Sequence, residues 1–202
     1  MGPRAAALRT RLRAETRELH RKLDHHHILK PLLSPDVTLV QYQRALLALH
    51  AVTEPAENSI GKYLENCSLP MDYAPHRREP DLLRDLEYFG LPPAEPAWEG
   101  PPIDSTGALI GCLYVLEGST KGGRLIFNRL NERLGVEARM GGRFFSGYGR
   151  PGEELWLEFW RFADTHCPTE EIERACGGAN ALFRSYIDLL DDLLDDSEGP
   201  AQ

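Results

Sequence analysis

The sequence predicts an all-α protein folded as one domain over residues 1–202, with an ordered core at about residues 8–195. Three observations lead to this fold class. Apolar residues recur every three or four positions along several segments, which is the period of one face of an α-helix. No segment shows the alternating apolar pattern, bounded by hairpin turns, that marks β-strands. A length of 202 residues, 42% of them hydrophobic, is enough to bury one core.

The first two helices are predicted from an apolar stripe and from a capping signal. Helix one is expected from Pro3 to Asp24, and its stripe consists of Leu8, Leu12, Leu19 and Leu23. The second helix begins after Thr38, because Thr38 and Gln41 have the three-residue spacing of a capping box. Pro55 is expected to kink or divide this helix, since proline has no N–H to donate.

The remaining helices follow a short helix at residues 80–89 and a connector at residues 91–102 that contains five prolines. A long helix rich in glycine is predicted at residues 104–134, and another helix at residues 151–165. The last helix starts near Pro168 and ends in an acidic tail. Its apolar face consists of Ile172, Cys176, Ala179, Phe183, Ile187, Leu190 and Leu194.

Composition argues against several classes of protein. The formal net charge is −8, whereas proteins that bind nucleic acids or anionic membranes usually carry an excess of basic residues. Arginines interrupt the apolar runs at the start, so no signal peptide is expected, and no run approaches the roughly 20 residues of a membrane span. We therefore expect a soluble cytoplasmic protein. Its cysteines form no C-x-x-C pair, so we expect reduced thiols rather than a zinc site or a disulfide framework.

His20 lies at the edge of the buried face of the first helix. On a helical wheel it is about 60° from the centre of the leucine stripe, and Arg13 and Arg17 fall within about 60° of it. A metal bound to this imidazole would have two guanidinium groups near enough to pair with carboxylates, which suits an iron porphyrin. The alternative is an ordinary half-buried histidine beside solvated arginines.

Glycines form a stripe without side chains on the long helix at residues 104–134. Gly107, Gly111, Gly118 and Gly122 project within about 60° of one another, and Gly123 lies just outside. Each costs about 1 kcal/mol relative to alanine inside a helix, so the stripe indicates close approach of another helix or of a flat ligand. Helix packing explains the first two glycines, and a ligand better explains the later ones. A phosphate loop is disfavoured, because no strand precedes the cluster and the Gly-Lys-Ser/Thr order is missing.

Two other clusters have simpler explanations. Adjacent histidines at positions 25–27 cannot all face one metal ion, so a solvated helix end is their expected role. The carboxylates near the carboxyl terminus are expected to form a charged surface without chemistry; they are Asp191, Asp192, Asp195 and Asp196.

The two helices together resemble the heme oxygenase family, and in particular its bacterial branch, including members that supply bilin to bacterial phytochromes. Residues 16–20, read as TRELH and followed by Leu23 and Asp24, resemble the family's proximal helix. Residues 114–124, read as YVLEGSTKGGR, resemble its distal helix and are the most specific part. Residues 144–149 and 179–183 are also similar, so the resemblance spans about residues 8–195.

The resemblance implies a multi-helix bundle in which heme is sandwiched between the proximal and distal helices. His20 would then be the axial iron ligand, and Asp24 one turn away would accept the other ring proton. Gly118, Gly122 and Gly123 would form a floor that lets dioxygen lie along the porphyrin, beside Ser119 and Thr120. The expected heme contacts are Arg13, Thr16, Arg17, Tyr114 and Phe183.

The implied reaction is oxidative cleavage of heme, which is both cofactor and substrate, to biliverdin, carbon monoxide and ferrous iron with O2. The chain has no dinucleotide-binding signature, so electrons are expected from a ferredoxin or an NADPH-dependent reductase, and a bacterial phytochrome is a candidate receiver of biliverdin. Two alternatives stay open at this point. One is a heme-binding or trafficking protein of the same fold. The other is a thiaminase-like enzyme, for which Cys112 would be the reactive group.

The expected proton relay departs from the family pattern. Many members carry an aspartate in the distal helix that orders water near the bound oxygen, whereas this chain has Glu117 in a shifted register. The role is therefore not assigned to Glu117, and Ser119, Thr120 or backbone-held water are the candidates. Lys121 is expected to face solvent or the heme edge, and Arg161 is an additional candidate contact.

Overall fold

A computed structural model of the protein describes residues 2–93, 95, 98–147 and 152–195. Within these ranges the chain contains no β-strand, so the all-α prediction is confirmed. The sequence predictions at Tyr148, Gly149, Pro151 and Asp196, and at the side chains of Leu194 and Asp195, lie outside the described part. Seven α-helices occupy the described ranges: α1 Pro3–Asp24, α2 Leu39–Cys67, α3 Glu79–Tyr88, α4 Thr106–Leu134, α5 Arg143–Ser146, α6 Gly152–His166 and α7 Ile172–Asp195.

The predicted capping box opens α2. The Thr38 hydroxyl accepts the Gln41 backbone N–H at 3.3 Å, and the Gln41 side-chain oxygen accepts the Thr38 N–H at 2.9 Å. α2 runs unbroken through Pro55, so the prediction that this proline divides the helix was wrong, whereas the alternative of a kink stays a prediction. Tertiary packing compensates for the lost hydrogen bond. Pro55 is buried, and the connector approaches so closely at Gly100 that a Cβ there would overlap the Pro55 carbonyl.

α4 has clear signals at both of its ends. Ser105 caps the start by accepting the Ala108 N–H at 3.2 Å, and the helix begins at Thr106, two residues after the predicted start at Asp104. Gly135 ends the helix in the left-handed conformation, with φ of 66°, which glycine adopts without steric cost. The helix is therefore long and continuous, although it carries six glycines including this cap.

The first half of α4 packs closely on α7. A Cβ at Gly111 would overlap the carbonyl of Ala175, and a Cβ at Gly107 would lie 2.6 Å from the carbonyl oxygen of Glu171. Gly178 of α7 makes the reciprocal approach to Ala108. The prediction that the first two glycines of the stripe serve helix packing is confirmed. Because Gly107 meets Glu171 and Gly111 meets Ala175, the two helices run parallel.

α1 packs on a different face of α7. The rings of His20 and Phe183 are 5.7 Å apart, and Phe183 is about 80° around α7 from Ala175, which faces α4. Within the described ranges, α1 and α4 both pack extensively on α7 but make little contact with each other. A cleft between α1 and α4, with α7 as its base, follows from this arrangement.

Two other helices contact this group. α6 joins the start of α1, where the Ala5 N–H donates to Asp164 at 2.7 Å. α2 approaches α7, where the Thr53 and Tyr186 hydroxyls are 3.2 Å apart. None of the helices in the described ranges is long and apolar enough to cross a lipid bilayer.

The sequence suggested that the histidines after α1 form a solvated helix end, but one of them is buried. His26 is 5% exposed and its Nε2 lies 2.9 Å from a carboxylate oxygen of Asp191, while its Nδ1 accepts the Ile28 N–H. Asp191 itself is 53% exposed, in keeping with the charged surface expected for it, and it also contacts His26. This pair ties the end of α1 to α7 beyond the site of His20.

Candidate functional site

His20 is oriented by Asp24 one turn later on α1. The His20 Nδ1 lies 2.8 Å from an Asp24 carboxylate oxygen, so the contact expected from the sequence is present. The carboxylate favours the tautomer with a proton on Nδ1, which leaves the lone pair of Nε2 available to a metal. The side chain of His20 is 60% exposed and packs edge-on against Phe183, at an interplanar angle of 64°. The imidazole is thus fixed in direction without being enclosed.

The later glycines of α4 face open space. No atom lies within 4 Å of a Cβ built at Gly118 or at Gly122, in contrast to the crowded positions of Gly107 and Gly111. Gly123 is placed differently, because a Cβ built there would lie 3.4 Å from the backbone carbonyl oxygen of Phe145. The bare stretch that could face a flat ligand is therefore residues 118–122.

His20 and Gly118 lie at the same height along α7. Gly111 packs between Ala175 and Ala179, and Phe183 beside His20 is about six residues, or roughly 9 Å, farther along α7. Because α4 runs parallel to α7, the same step of six residues along α4 leads from Gly111 to Glu117, next to Gly118. These contacts place His20 and the start of the bare stretch at about the same level along α7.

The hydroxyls of the bare stretch are turned back to their own helix. Ser119 Oγ donates to the carbonyl of Leu116 at 2.7 Å, and Thr120 Oγ1 donates to that of Glu117 at 2.7 Å. Each oxygen keeps its lone pairs as hydrogen-bond acceptors. On α1, the Thr16 hydroxyl makes the same kind of bond to the Leu12 carbonyl, and Thr16 is only 2% exposed.

The cationic candidates for heme contacts are exposed, and Tyr114 lies among aromatic side chains of α6. Arg13 and Arg17 are exposed on α1, and the side chain of Arg17 is 80% exposed. On α4, Tyr114 is half-buried against Trp156 and Trp160, with ring distances of 6.5 and 6.1 Å. Lys121 extends over the Trp156 ring, 4.5 Å from its centre. Arg161 on α6 is exposed.

A polar cluster behind Phe183 was missed at the sequence level. His50 is 2% exposed, and neither of its ring nitrogens has a hydrogen-bond partner among the described residues. It lies one turn from Thr53, whose hydroxyl contacts Tyr186, and Tyr186 is one turn from Phe183. Buried imidazoles of this kind are commonly hydrogen-bonded to ordered water. The signal in the sequence was the spacing of His50, Thr53 and Glu57, which puts three polar side chains on one face of α2 in its buried part.

Glu117 is buried and paired with a distant histidine. It is 2% exposed, and one carboxylate oxygen lies 2.7 Å from Nδ1 of His76. Sequence analysis could not predict this pair, because the two residues are 41 positions apart. Because Glu117 is buried and paired with His76, its position agrees with leaving the proton-relay role unassigned to it.

Cys112 lies in the interface between α4 and α7. Its Sγ faces the carbonyl of Gly178 at 3.8 Å, and burial raises the pKa of the thiol to about 12. A thiol held protonated in a helix interface is a packing group rather than a nucleophile. This position does not support the thiaminase-like alternative. In the described ranges there is also no group of three or more His, Cys, Asp or Glu residues that could hold a metal ion.

The residues of the cleft fit a heme. An imidazole with one free nitrogen is a common axial iron ligand. Opposite it, the open backbone at Gly118 and Gly122 provides room for a flat ring, and the rim carries guanidinium and phenol groups suited to carboxylates.

Comparison with known proteins agrees with this geometry. The family profile described as heme oxygenase matches residues 6–99, which include α1 and His20 but end before α4. The structure is similar to the heme oxygenase of Neisseria meningitidis, solved with bound NO and CO, with a TM-score of 0.77 and 24% sequence identity. That alignment covers 93% of this chain and 92% of the other. The chain has the heme oxygenase fold.

Two further bacterial heme oxygenases share this fold. The enzyme from Leptospira interrogans matches with a TM-score of 0.74 and 18% identity, covering 92% of this chain and 98% of the other. Heme oxygenase-1 from the cyanobacterium Synechocystis, solved in complex with heme, matches with a TM-score of 0.68 and 15% sequence identity. That alignment covers 94% of this chain and 93% of the other. A search of curated protein sequences finds no significant match. The resemblance to the heme oxygenase family seen in the sequence is confirmed.

Proposed function

We propose that this protein is a heme oxygenase, which binds one heme between α1 and α4 and cleaves it to biliverdin, carbon monoxide and ferrous iron. The observation that carries the proposal is the position of His20. Its Nδ1 is held by Asp24 at 2.8 Å, and the ring lies level with the only part of the α4 glycine stripe that faces open space in the described structure. Heme would supply the iron that activates O2 and the porphyrin carbon that is oxidised.

His20 and Asp24 hold the proximal side. Nε2 of His20 is the proposed iron ligand, and the hydrogen bond from Nδ1 to Asp24 raises the donor strength of the imidazole. Phe183 limits rotation of the ring, because it packs against His20 and is itself only 4% exposed. The ligand is thus oriented before heme enters.

The backbone at Gly118 and Gly122 forms the distal side. Without side chains there, O2 has room to lie along the porphyrin plane toward the edge that is attacked. The hydroxyl oxygens of Ser119 and Thr120 accept hydrogen bonds from water, because both donate their own protons to carbonyls. His50, behind Phe183, is a further candidate to hold water that carries protons into the cleft.

The rim orients the carboxylates of the ligand. Arg13 and Arg17 on α1 and the Tyr114 phenol on α4 are the proposed contacts for the two propionates, and the guanidinium groups can bind them with paired hydrogen bonds. These contacts determine how the porphyrin is rotated in the cleft. That rotation selects the carbon that is attacked.

The electrons come from a separate protein in this proposal. A ferredoxin or an NADPH-dependent reductase is the proposed donor, and a bacterial phytochrome is a candidate receiver of biliverdin.

The test is an absorbance time course of the purified protein mixed with one equivalent of hemin, before and after addition of a ferredoxin reducing system, with catalase present to remove free peroxide. We expect a Soret band that decays as the absorbance of biliverdin appears. A Soret band that persists under reduction and oxygen would support heme binding without turnover. Failure to form the band would refute both heme-based functions.

A further inference from the structure

The bare stretch of α4 is weakly held by its own helix. Two consecutive hydroxyl side chains, Ser119 and Thr120, donate to the carbonyls of Leu116 and Glu117, which are also acceptors of the helical ladder. Such bonds loosen and bend helices, and the glycines on either side add backbone freedom. Gly118 and Gly122 have no side chains, and no neighbouring atoms lie where their Cβ atoms would be, so packing does not offset this loosening of the helix. The position of residues 118–122 must therefore be fixed from outside the stretch.

The first fixed point is Glu117, immediately before the stretch. Its carboxylate lies 2.7 Å from Nδ1 of His76, and the two side chains are 2% and 0% exposed. His76 is itself positioned by Tyr73, whose ring is stacked at 6.1 Å with an interplanar angle of 8°. An interaction this deeply buried is not screened by solvent, so it is expected to hold its geometry.

The second fixed point is Gly123, immediately after the stretch, which rests on the backbone of Phe145. The segment that contains Phe145 is held by Asp85, whose two carboxylate oxygens accept the N–H groups of Arg143 and Phe144, each at 2.8 Å. The Arg78 guanidinium also donates to the Phe144 carbonyl and lies 5.3 Å from the centre of its ring.

Both fixed points lead back to one segment, residues 76–85, which we call the brace. His76 in the brace holds Glu117, while Arg78 and Asp85 hold the segment beneath Gly123. The brace is anchored in turn to α2, where the buried Glu57 accepts the N–H of Arg78 at 2.6 Å and that of Glu79 at 3.2 Å.

We propose that the brace sets the position of residues 118–122 over the cleft, with His76, Glu117 and Asp85 acting as positioning residues for the oxidation. The inference rests on the proposed function, since its catalytic consequence needs heme in the cleft. Its structural part does not: releasing either fixed point loosens this stretch with or without heme. None of the three side chains needs to touch the substrate.

The principal variant is the double substitution His76→Phe with Glu117→Leu. Replacing both partners removes the pair as a unit, and apolar residues of similar size often replace a buried ion pair without loss of stability. Glu117→Gln is the matched control, because its amide oxygen can still accept from Nδ1 of His76. Asp85→Asn loosens the other fixed point and serves as a second variant if the double substitution fails to fold.

The first measurement is hydrogen–deuterium exchange of the ligand-free proteins. In the double variant we expect the amides of residues 118–122 to exchange about tenfold faster, while residues 107–115 stay protected. The factor is the expected effect of one lost hydrogen bond on the equilibrium between the closed and the locally open helix. Glu117→Gln should exchange like the wild type. Unchanged exchange at residues 118–122 in a folded double variant or in Asp85→Asn would overturn the proposal, whatever the protein does with heme.

The second measurement separates positioning from stability. We expect the double variant to bind hemin with an affinity within about threefold of the wild type, because the proximal contacts are intact, but to give slower cleavage and a broader mixture of biliverdin isomers. The control Glu117→Gln should keep the wild-type cleavage rate and the wild-type biliverdin isomer. Cleavage at the wild-type rate with an unchanged isomer would refute the catalytic part of the proposal. If the wild type itself leaves hemin intact, the proposed function fails, and the exchange result still decides whether the brace exists.

Discussion

Alanine substitutions at Gly118 and at Gly111 of α4 should change the free energy of unfolding differently, because only Gly118 faces open space. At Gly118 the new methyl group meets no atom within 4 Å, so Gly118→Ala should gain the helix-propensity difference of about 1 kcal/mol. At Gly111 the methyl would overlap the Ala175 carbonyl, and overpacking of a tight core costs about 1–3 kcal/mol, which offsets or exceeds the same gain. The predicted stability difference between the two variants is therefore about 1–3 kcal/mol.

The assay is urea unfolding of the ligand-free variants, followed by hemin titration and turnover. Gly118→Ala should raise the midpoint and still bind hemin, yet cleave it more slowly, because its methyl group enters the space over the porphyrin. Gly118→Leu should bind hemin and leave it largely intact. A Gly118→Leu variant with wild-type turnover would refute our assignment of the distal face, and a destabilised Gly118→Ala would refute the open cleft.

Two further predictions concern single side chains. His20→Ala should fold normally, since the side chain is 60% exposed, but should lose the spectrum of imidazole-ligated heme until imidazole is added; an unchanged spectrum would place the ligand elsewhere, with exposed His25 as the next candidate. Burial raises the pKa of Glu57 from 4.5 to about 7, against the opposing effect of the N–H groups of Arg78 and Glu79. Because the native state holds this proton more tightly than the unfolded state, the free energy of unfolding should fall as pH rises from about 4.5 to about 7. Glu57→Gln should flatten that slope in urea titrations at several pH values, whereas an identical slope would exclude Glu57 as its source.

Sequence reasoning succeeded where the signal is local. The stripe in α1, the Thr38 cap and the contact between His20 and Asp24 all depend on residues within one or two turns of each other. It failed at Pro55, because the propensity of one residue was outweighed by packing of the distant connector. The pairing of His76 with Glu117 was likewise out of reach, because it joins residues 41 positions apart that only the complete fold brings together.

The glycine stripe shows why the sequence could suggest a cleft but could not locate it. Gly107, Gly111, Gly118 and Gly122 share one face of α4, yet the first two press against α7 and the last two meet open space. The two helices must therefore separate between Gly111 and Gly118.

Side-chain size along α7 supplies the physical reason for this separation. The α7 positions that α4 approaches at Ala108 and Gly111 are small, namely Ala175, Gly178 and Ala179, whereas Leu182, farther along the same face, is large and fully buried. Because the distance between packed helices depends on the side chains at their contact, this change is expected to move α4 away from α7. Phe183 acts on the neighbouring face of α7, where it packs against the ring of His20 on α1. The space beside Gly118 is therefore set by the core side chains of α7, and a small residue at position 183 should release the proposed iron ligand.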